Sequence, residues 1–175
     1  MLSLSQALRQ WHDFYALVGG AAATLVALMF VAASIGAGVF TMKHQAGVRS
    51  FLSPTVVHFT AILVICLFAN IPTDNGTLLS VLFGCVGLVG LAYSGWVWQR
   101  MLKHGIAASI DNVDRLWYAL LPVPAYLTVI AAGARLWRGH ARSLDVLAAA
   151  LILLLLIGIR NAWDMTVWII GRRQQ

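Results

Sequence analysis

Long hydrophobic runs separated by short polar segments dominate the chain. At 1.5 Å per residue, each run approaches or exceeds the ~30 Å hydrocarbon layer of a bilayer, and a helix satisfies its own backbone hydrogen bonds there. The pattern therefore predicts an all-α membrane protein, a bundle of five transmembrane helices that forms a single transmembrane domain over residues 1–175. The predicted helices cover about residues 14–40, 54–71, 77–98, 116–137 and 144–170.

The residues before the first run show a different periodicity. Their apolar side chains recur at steps of four, three and four, which places them on one helix face. We expect a short amphipathic N-terminal lead-in at the membrane surface, although a plain extension of the first helix gives the same pattern. The first run is too long for the apolar core of a signal peptide, so we expect it to be retained. The residues on the face are Leu4, Leu8, Trp11 and Tyr15.

Prolines and turn residues mark the helix ends and one interruption. Pro54 suits the first turn of the second helix, and the turn formers of residues 72–76 predict a tight hairpin after it. Pro122 and Pro124 fall inside the fourth helix, where each removes a backbone donor and crowds the preceding turn. We expect a broken helix that could line a path for a solute or ion, or else a kink that serves packing alone.

Composition supports a membrane location and limits the kinds of partner that the protein can have. Apolar residues make up 61% of the chain and charged residues 10%, with a formal net charge of +6. The basic residues lie between the apolar runs, where they suit anionic lipid head groups, and they form no continuous basic face. We therefore expect the lipid bilayer as a partner and no nucleic acid. Cys66 and Cys85 lie inside apolar runs and indicate neither a disulfide nor a redox compartment.

The distribution of Lys and Arg predicts the orientation, because basic residues favour the cytoplasmic side. The side with the N-terminus holds four of them and the opposite side seven. We expect the C-terminus in the cytoplasm, although three of the four stand together between the fourth and fifth helices and favour the reverse. The smaller group is Arg9, Arg135, Arg138 and Arg142, and the larger is Lys43, Arg49, Arg100, Lys103, Arg115, Arg172 and Arg173.

A charged pair in the fifth helix is the strongest candidate for function. Arg160 and Asp164 stand four residues apart, so they can meet on one helix face, and a charge within a bilayer marks a functional site by default. Arg160 would lie roughly 24 Å along the predicted helix, still inside the hydrocarbon layer. With Asn161, the pair would line a pore, a polar cavity or a subunit seam. Alternatively, the helix ends near Trp163, Arg160 snorkels to lipid phosphates, and Asp164 lies in water.

His58 is a second candidate for a polar cavity. It lies one turn into the predicted second helix, on a face with Ile62 and Ile65 and without an acidic or cysteine neighbour. We expect a capping histidine or one that hydrogen-bonds to another helix, with a ligand or proton-carrier role as the alternative.

No motif in the sequence indicates enzyme chemistry. Asp111 and Asp114 precede the fourth helix and suit capping of its positive end, whereas a cation site there would need further oxygen ligands. The sequence contains no phosphate-binding, nucleophile or metal motif. We therefore expect that the protein is not an enzyme and that it has no catalytic residue, metal site or cofactor.

Small residues at three- and four-residue steps predict faces for close helix packing. They concentrate in the first and third helices, which we expect at the centre of the bundle or at a subunit contact. The glycines concerned are Gly20 and Gly36 in the first helix and Gly84, Gly87 and Gly90 in the third.

Two segments carry a resemblance to a known group. FYALVG with AAATL (residues 14–19 and 21–25) and the closing RNAWD (residues 160–164) resemble a group of small bacterial membrane proteins predicted from genomes. The resemblance spans most of the chain and implies a multi-pass protein of the bacterial inner membrane. That group has no assigned activity, so the resemblance implies no functional residues.

Three functions fit these features. The first is a homo-oligomeric pore or channel-like assembly, whose path would lie on a symmetry axis because five helices leave little room inside one chain. The second is a non-conducting accessory subunit or scaffold of a larger membrane complex, which needs only packing faces. The third is a small solute transporter with its site at the interrupted helix. The odd number of helices and the lack of a visible internal repeat count against this third hypothesis. We expect either self-association or a larger complex.

Overall fold

The computed structural model describes residues 3–37, 45–103, 116–140 and 142–172, and this part of the chain is helical apart from short turns. The all-α prediction is confirmed for these residues, which include no strand. Asp111 and Asp114 lie outside them. The elements are α1 (Leu4–Ala37), α2 (Gln45–Ala69), α3 (Gly76–Lys103), a π-helical turn (Leu116–Leu120), α4 (Pro122–Trp137) and α5 (Ser143–Arg172).

Helix length and composition indicate a membrane-embedded protein. Four segments are long and apolar enough to cross a bilayer, whereas the apolar part of α2, Pro54–Ala69, is shorter. Four helices of spanning length are therefore established within the described residues, and the fifth crossing stays a prediction. The four segments are Leu4–Ser34, Gly76–Arg100, Leu116–Trp137 and Ser143–Val167.

The N-terminal residues belong to α1. The helix begins at Leu4 and continues without a break, so a separate lead-in on the membrane surface is wrong and the extension of the first helix is what occurs. The physical reason is burial. Ala7 and Leu8 are buried and Trp11 packs against the core, so the apolar face faces other helices instead of lipid head groups.

The two proline regions differ from each other. Pro54 lies inside α2, which begins at Gln45, so the prediction that it opens the helix is wrong. Neighbouring helices and local adjustments make proline tolerable inside a membrane helix. Pro122 begins α4 directly after the π-helical turn, in which the Leu121 amide donates to the Leu116 carbonyl. Because proline crowds the carbonyl four residues before it, a wider turn relieves that crowding.

The helices alternate in direction along the bundle. A side chain on Gly76 would touch Leu4 and the Leu136 carbonyl, so the starts of α1 and α3 and the end of α4 meet at one end, called here the Leu4 end. The opposite end holds the π-helical turn and Arg160 and is called the Arg160 end. Short turns join α2 to α3 and α4 to α5 at the Leu4 end, which makes α2 and α5 antiparallel.

The centre of the bundle is formed by α2 and α5. The first helix packs on both of them, α3 packs mainly on α4 and also on α2, and α4 packs on α5. The expectation that the first and third helices are central is therefore wrong for the single chain. Large apolar side chains of α2 and α5 fill the core, among them Phe59, Ile62, Leu151 and Leu154.

A candidate polar site at the Arg160 end

The charged pair lies on one face of α5. Arg160 and Asp164 form an ion pair across one helical turn, and their side chains are 36% and 28% exposed. The Arg160 guanidinium also lies 5.8 Å from the centroid of the Trp117 ring in the π-helical turn. Three groups from two elements therefore meet here, and each compensates part of the desolvation of the others.

The length of α5 bears on one part of the predicted alternatives for the pair, the end of the helix. The helix continues to Arg172, so the alternative in which it ends near Trp163 is wrong. Arg160 lies roughly 26 Å along the helix from Ser143, within the ~30 Å of a hydrocarbon layer. The carboxylate of Asp164 stays on the same helical face, where it neutralises the guanidinium.

Asn161 joins α5 to the interrupted fourth helix. The Tyr118 hydroxyl donates to the Asn161 backbone carbonyl at 3.0 Å, and Asn161 is completely buried. Both polar atoms of its side-chain amide are buried without a hydrogen-bond partner. A buried polar group without a hydrogen-bond partner is destabilising, and most buried polar groups in proteins have such a partner. The Asn161 amide is an exception to that rule and needs an explanation.

His58 occupies the interior between α2 and α4. Its Nδ1 lies 2.9 Å from the Tyr126 hydroxyl, so it has the hydrogen bond to another helix that we expected. Its Nε2 is buried and has no partner. Within the described part of the chain, no group of three or more His, Cys, Asp or Glu side chains could hold a metal ion.

Only some of the glycines predicted to serve helix packing contact another helix. A side chain on Gly87 would lie 2.6 Å from Ile130 and one on Gly90 would collide with the Tyr126 ring, so both serve the contact between α3 and α4. Side chains on Gly20 or Gly84 would meet nothing within 4 Å, and Gly36 lies in the last turn of α1. Three further glycines face other helices although the sequence pattern did not predict it, namely Gly19, Gly133 and Gly158.

Buried tyrosines that hydrogen-bond to other helices were not predicted from the sequence. The side chains of Tyr15 and Tyr118 are buried between helices. Tyr126 was not singled out. The spacing of Tyr118, Pro122 and Tyr126 at four-residue steps places them on one helix face, and that periodicity is the signal that could have identified them.

The Arg160 end thus combines features that stand far apart in the sequence. The interrupted helix, the ion pair and the unpartnered Asn161 amide lie together, and His58 lies deeper on the same side of α4. None of the protein families, curated proteins or solved structures compared with the chain matches it.

Proposed function

We propose that this chain is a five-span inner-membrane protein that transfers a small ion, with its site at the Arg160 end. The contact between the interrupted fourth helix and the ion pair of α5 carries the proposal. Trp117 lies over Arg160, and Tyr118 bonds to Asn161. Interrupted membrane helices free backbone groups for ligands, and ionisable groups at membrane depth line such paths.

The location of the polar groups favours a path within one chain over one on a symmetry axis. In the middle of α1 (residues 14–33) and of α5 (residues 146–159), the large exposed side chains are apolar, as expected for contact with lipid. A symmetric pore along these faces would lack a polar lining. The unpartnered polar atoms of His58 and Asn161 instead lie inside the bundle. The outward-facing residues include Leu17, Leu28, Ile152, Leu156 and Ile159.

The fifth crossing is proposed for α2. Its 25 residues cover roughly 38 Å, more than a ~30 Å hydrocarbon layer requires. It also packs against α1, α3 and α5, each of which contains a segment of spanning length. Five crossings place the termini on opposite sides, with the C-terminus in the cytoplasm by the excess of basic residues.

Flux into liposomes tests the proposal. The purified protein is reconstituted, and entry of potassium, chloride and protons is followed separately with ion-sensitive dyes. Arg160→Ala and Asp164→Ala should each lower the flux of the transferred ion by roughly tenfold or more, because loss of one partner leaves the other charge desolvated. Arg135→Ala is the matched control at the other end of the bundle, where Arg135 is exposed, and should leave the flux unchanged.

Two results would contradict this proposal. One is flux no greater than that of protein-free liposomes for every ion tested. The other is flux that responds equally to Arg160→Ala and Arg135→Ala. A double variant with the two charges exchanged, Arg160→Asp with Asp164→Arg, should recover flux if the pair itself is required.

An accessory or scaffold role is the second candidate, and the outer face of α1 favours it. Ala16, Gly20 and Thr24 recur at four-residue steps and are exposed, and a side chain on Gly20 would meet no atom within 4 Å. Small residues of this kind allow another membrane helix to approach closely. A particle mass equal to a whole number of chains would support self-association, whereas a co-purified larger protein would support the accessory role.

A further inference from the structure

His58 has one hydrogen bond too few. Its Nδ1 is engaged with Tyr126, and the other ring nitrogen is buried and unpartnered. If the Tyr126 hydroxyl donates to Nδ1, then Nε2 carries a proton that needs an acceptor. If Nδ1 donates, then Nε2 is an acceptor that needs a donor. Both tautomers therefore require a further polar group at Nε2.

Asn161 has three to four unmet hydrogen bonds. A side-chain amide offers two N–H donors and a carbonyl acceptor with two lone pairs. Neither of its polar atoms has a partner, and the residue is completely buried. Burial of such an amide in an apolar interior is unfavourable unless its hydrogen bonds are met.

The register of α2 and α5 brings these two side chains towards each other. A side chain on Gly158 would collide with the Phe59 ring, so these residues lie side by side. His58 is adjacent to Phe59, and Asn161 lies one turn beyond Gly158 towards the Arg160 end. Helical side chains lean towards their own N-terminus, and the two helices are antiparallel, so the imidazole and the amide lean towards a common level.

Both residues also contact the fourth helix or the π-helical turn before it. His58 bonds to Tyr126 of α4, and the Asn161 backbone bonds to Tyr118 of the π-helical turn, which stands two helical turns earlier on the same face. Both residues therefore lie where α2 and α5 meet the fourth helix and the turn before it.

We propose that ordered water occupies a buried site at this boundary and bridges His58 Nε2 to the Asn161 side-chain amide. Water donates and accepts, so it satisfies either tautomer of the histidine together with both atoms of the amide. A bound cation would call for oxygen ligands, preferably carboxylates, and the two side chains that define this site are an imidazole and an amide. The site stands whether or not the protein transfers an ion.

Water-edited solid-state NMR on the full chain in lipid bilayers tests this site. Magnetisation transferred from water protons should reach the side-chain nitrogens of His58 and Asn161 while the neighbouring Ile62 and Leu154 side chains stay dark. Absence of transfer to both nitrogens in the folded protein would overturn the proposal without any substitution. This measurement does not depend on flux, so the water site and the proposed transfer function can each be overturned without the other.

Variants then test whether one site serves both residues. Asn161→Leu should abolish the water signal at His58, whereas Asn70→Leu, which removes an amide at the other end of α2, should preserve it. Asn161→Gln retains an amide and should preserve at least part of the signal if Asn161→Leu fails to fold. A His58 signal that survives Asn161→Leu would refute the shared site.

Discussion

Buried tyrosine hydroxyls connect helices that apolar packing alone would leave free to slide. Tyr15 donates to the Leu144 carbonyl at 2.9 Å, Tyr118 to the Asn161 carbonyl, and Tyr126 pairs with His58. Lipid tails are as apolar as leucine, so apolar contact does little to specify one helix arrangement in a bilayer. These directional bonds supply that specificity.

Tyr126→Phe measures one such bond. The substitution keeps the buried ring and leaves His58 Nδ1 without its partner, so we expect a loss of about 1–2 kcal/mol in unfolding free energy. Unfolding in mixed detergent micelles provides the measurement. Tyr93→Phe is the matched control, because the Tyr93 hydroxyl is buried without a hydrogen bond and its removal should be neutral or stabilising. Equal losses in both variants would show that the His58 bond contributes nothing.

At the scale of elements, glycines allow α3 and α4 to approach each other closely. Gly87 and Gly90 of α3 face Ile130 and Tyr126, and Gly133 of α4 faces the Ser80 carbonyl, where an added Cβ would lie 3.0 Å away. Each helix therefore presents glycine to the other. Close approach of this kind increases dispersion contacts, which are a main source of helix association in lipid.

Gly90→Ala should destabilise the bundle by about 1–3 kcal/mol, the usual range for overpacking. The new methyl group would collide with the Tyr126 ring, and the hydrogen bond to His58 restricts movement of that ring. Gly84→Ala lies on the same helix in open space and should be neutral or stabilising by up to about 1 kcal/mol, since alanine favours helix. The same unfolding assay compares them, and a Gly90→Ala variant as stable as Gly84→Ala would contradict the packing.

At the scale of the whole molecule, the two ends of the bundle have the features of two membrane interfaces. Trp137 is exposed near the Leu4 end, and Trp96, Trp98 and Trp163 are exposed near the Arg160 end. The Arg100 guanidinium stacks 4.2 Å from the Trp96 ring centroid. Tryptophan and arginine at these levels match aromatic belts and lipid phosphates.

Reporter fusions test the number of crossings, because an odd number separates the termini and an even number does not. A fluorescent protein fused to the C-terminus should fluoresce, because it becomes fluorescent only in the cytoplasm. A phosphatase fused at the same position should be inactive, because it is active only on the opposite side of the membrane. A phosphatase inserted at His140, in the turn between α4 and α5, should be active because this turn lies at the Leu4 end. Activity on the same side for the N- and C-terminal fusions would exclude five crossings.

The sequence by itself determined the local properties of this protein. Apolar run length predicted the four helices of spanning length, Pro122 marked the interruption, and the four-residue spacing of Arg160 and Asp164 predicted their ion pair, because all three depend on neighbours along one helix. The prediction for Pro54 failed since a proline that suits a first turn is also tolerated inside a packed membrane helix.

The tertiary structure alone decided which faces are inside. It placed α2 and α5 at the centre, buried Tyr15 and Tyr118, and joined His58 to Tyr126. In water, polarity separates the buried face of a helix from the exposed one. In a bilayer both faces are apolar, so hydropathy does not distinguish a neighbouring helix from lipid, and only the packed arrangement does.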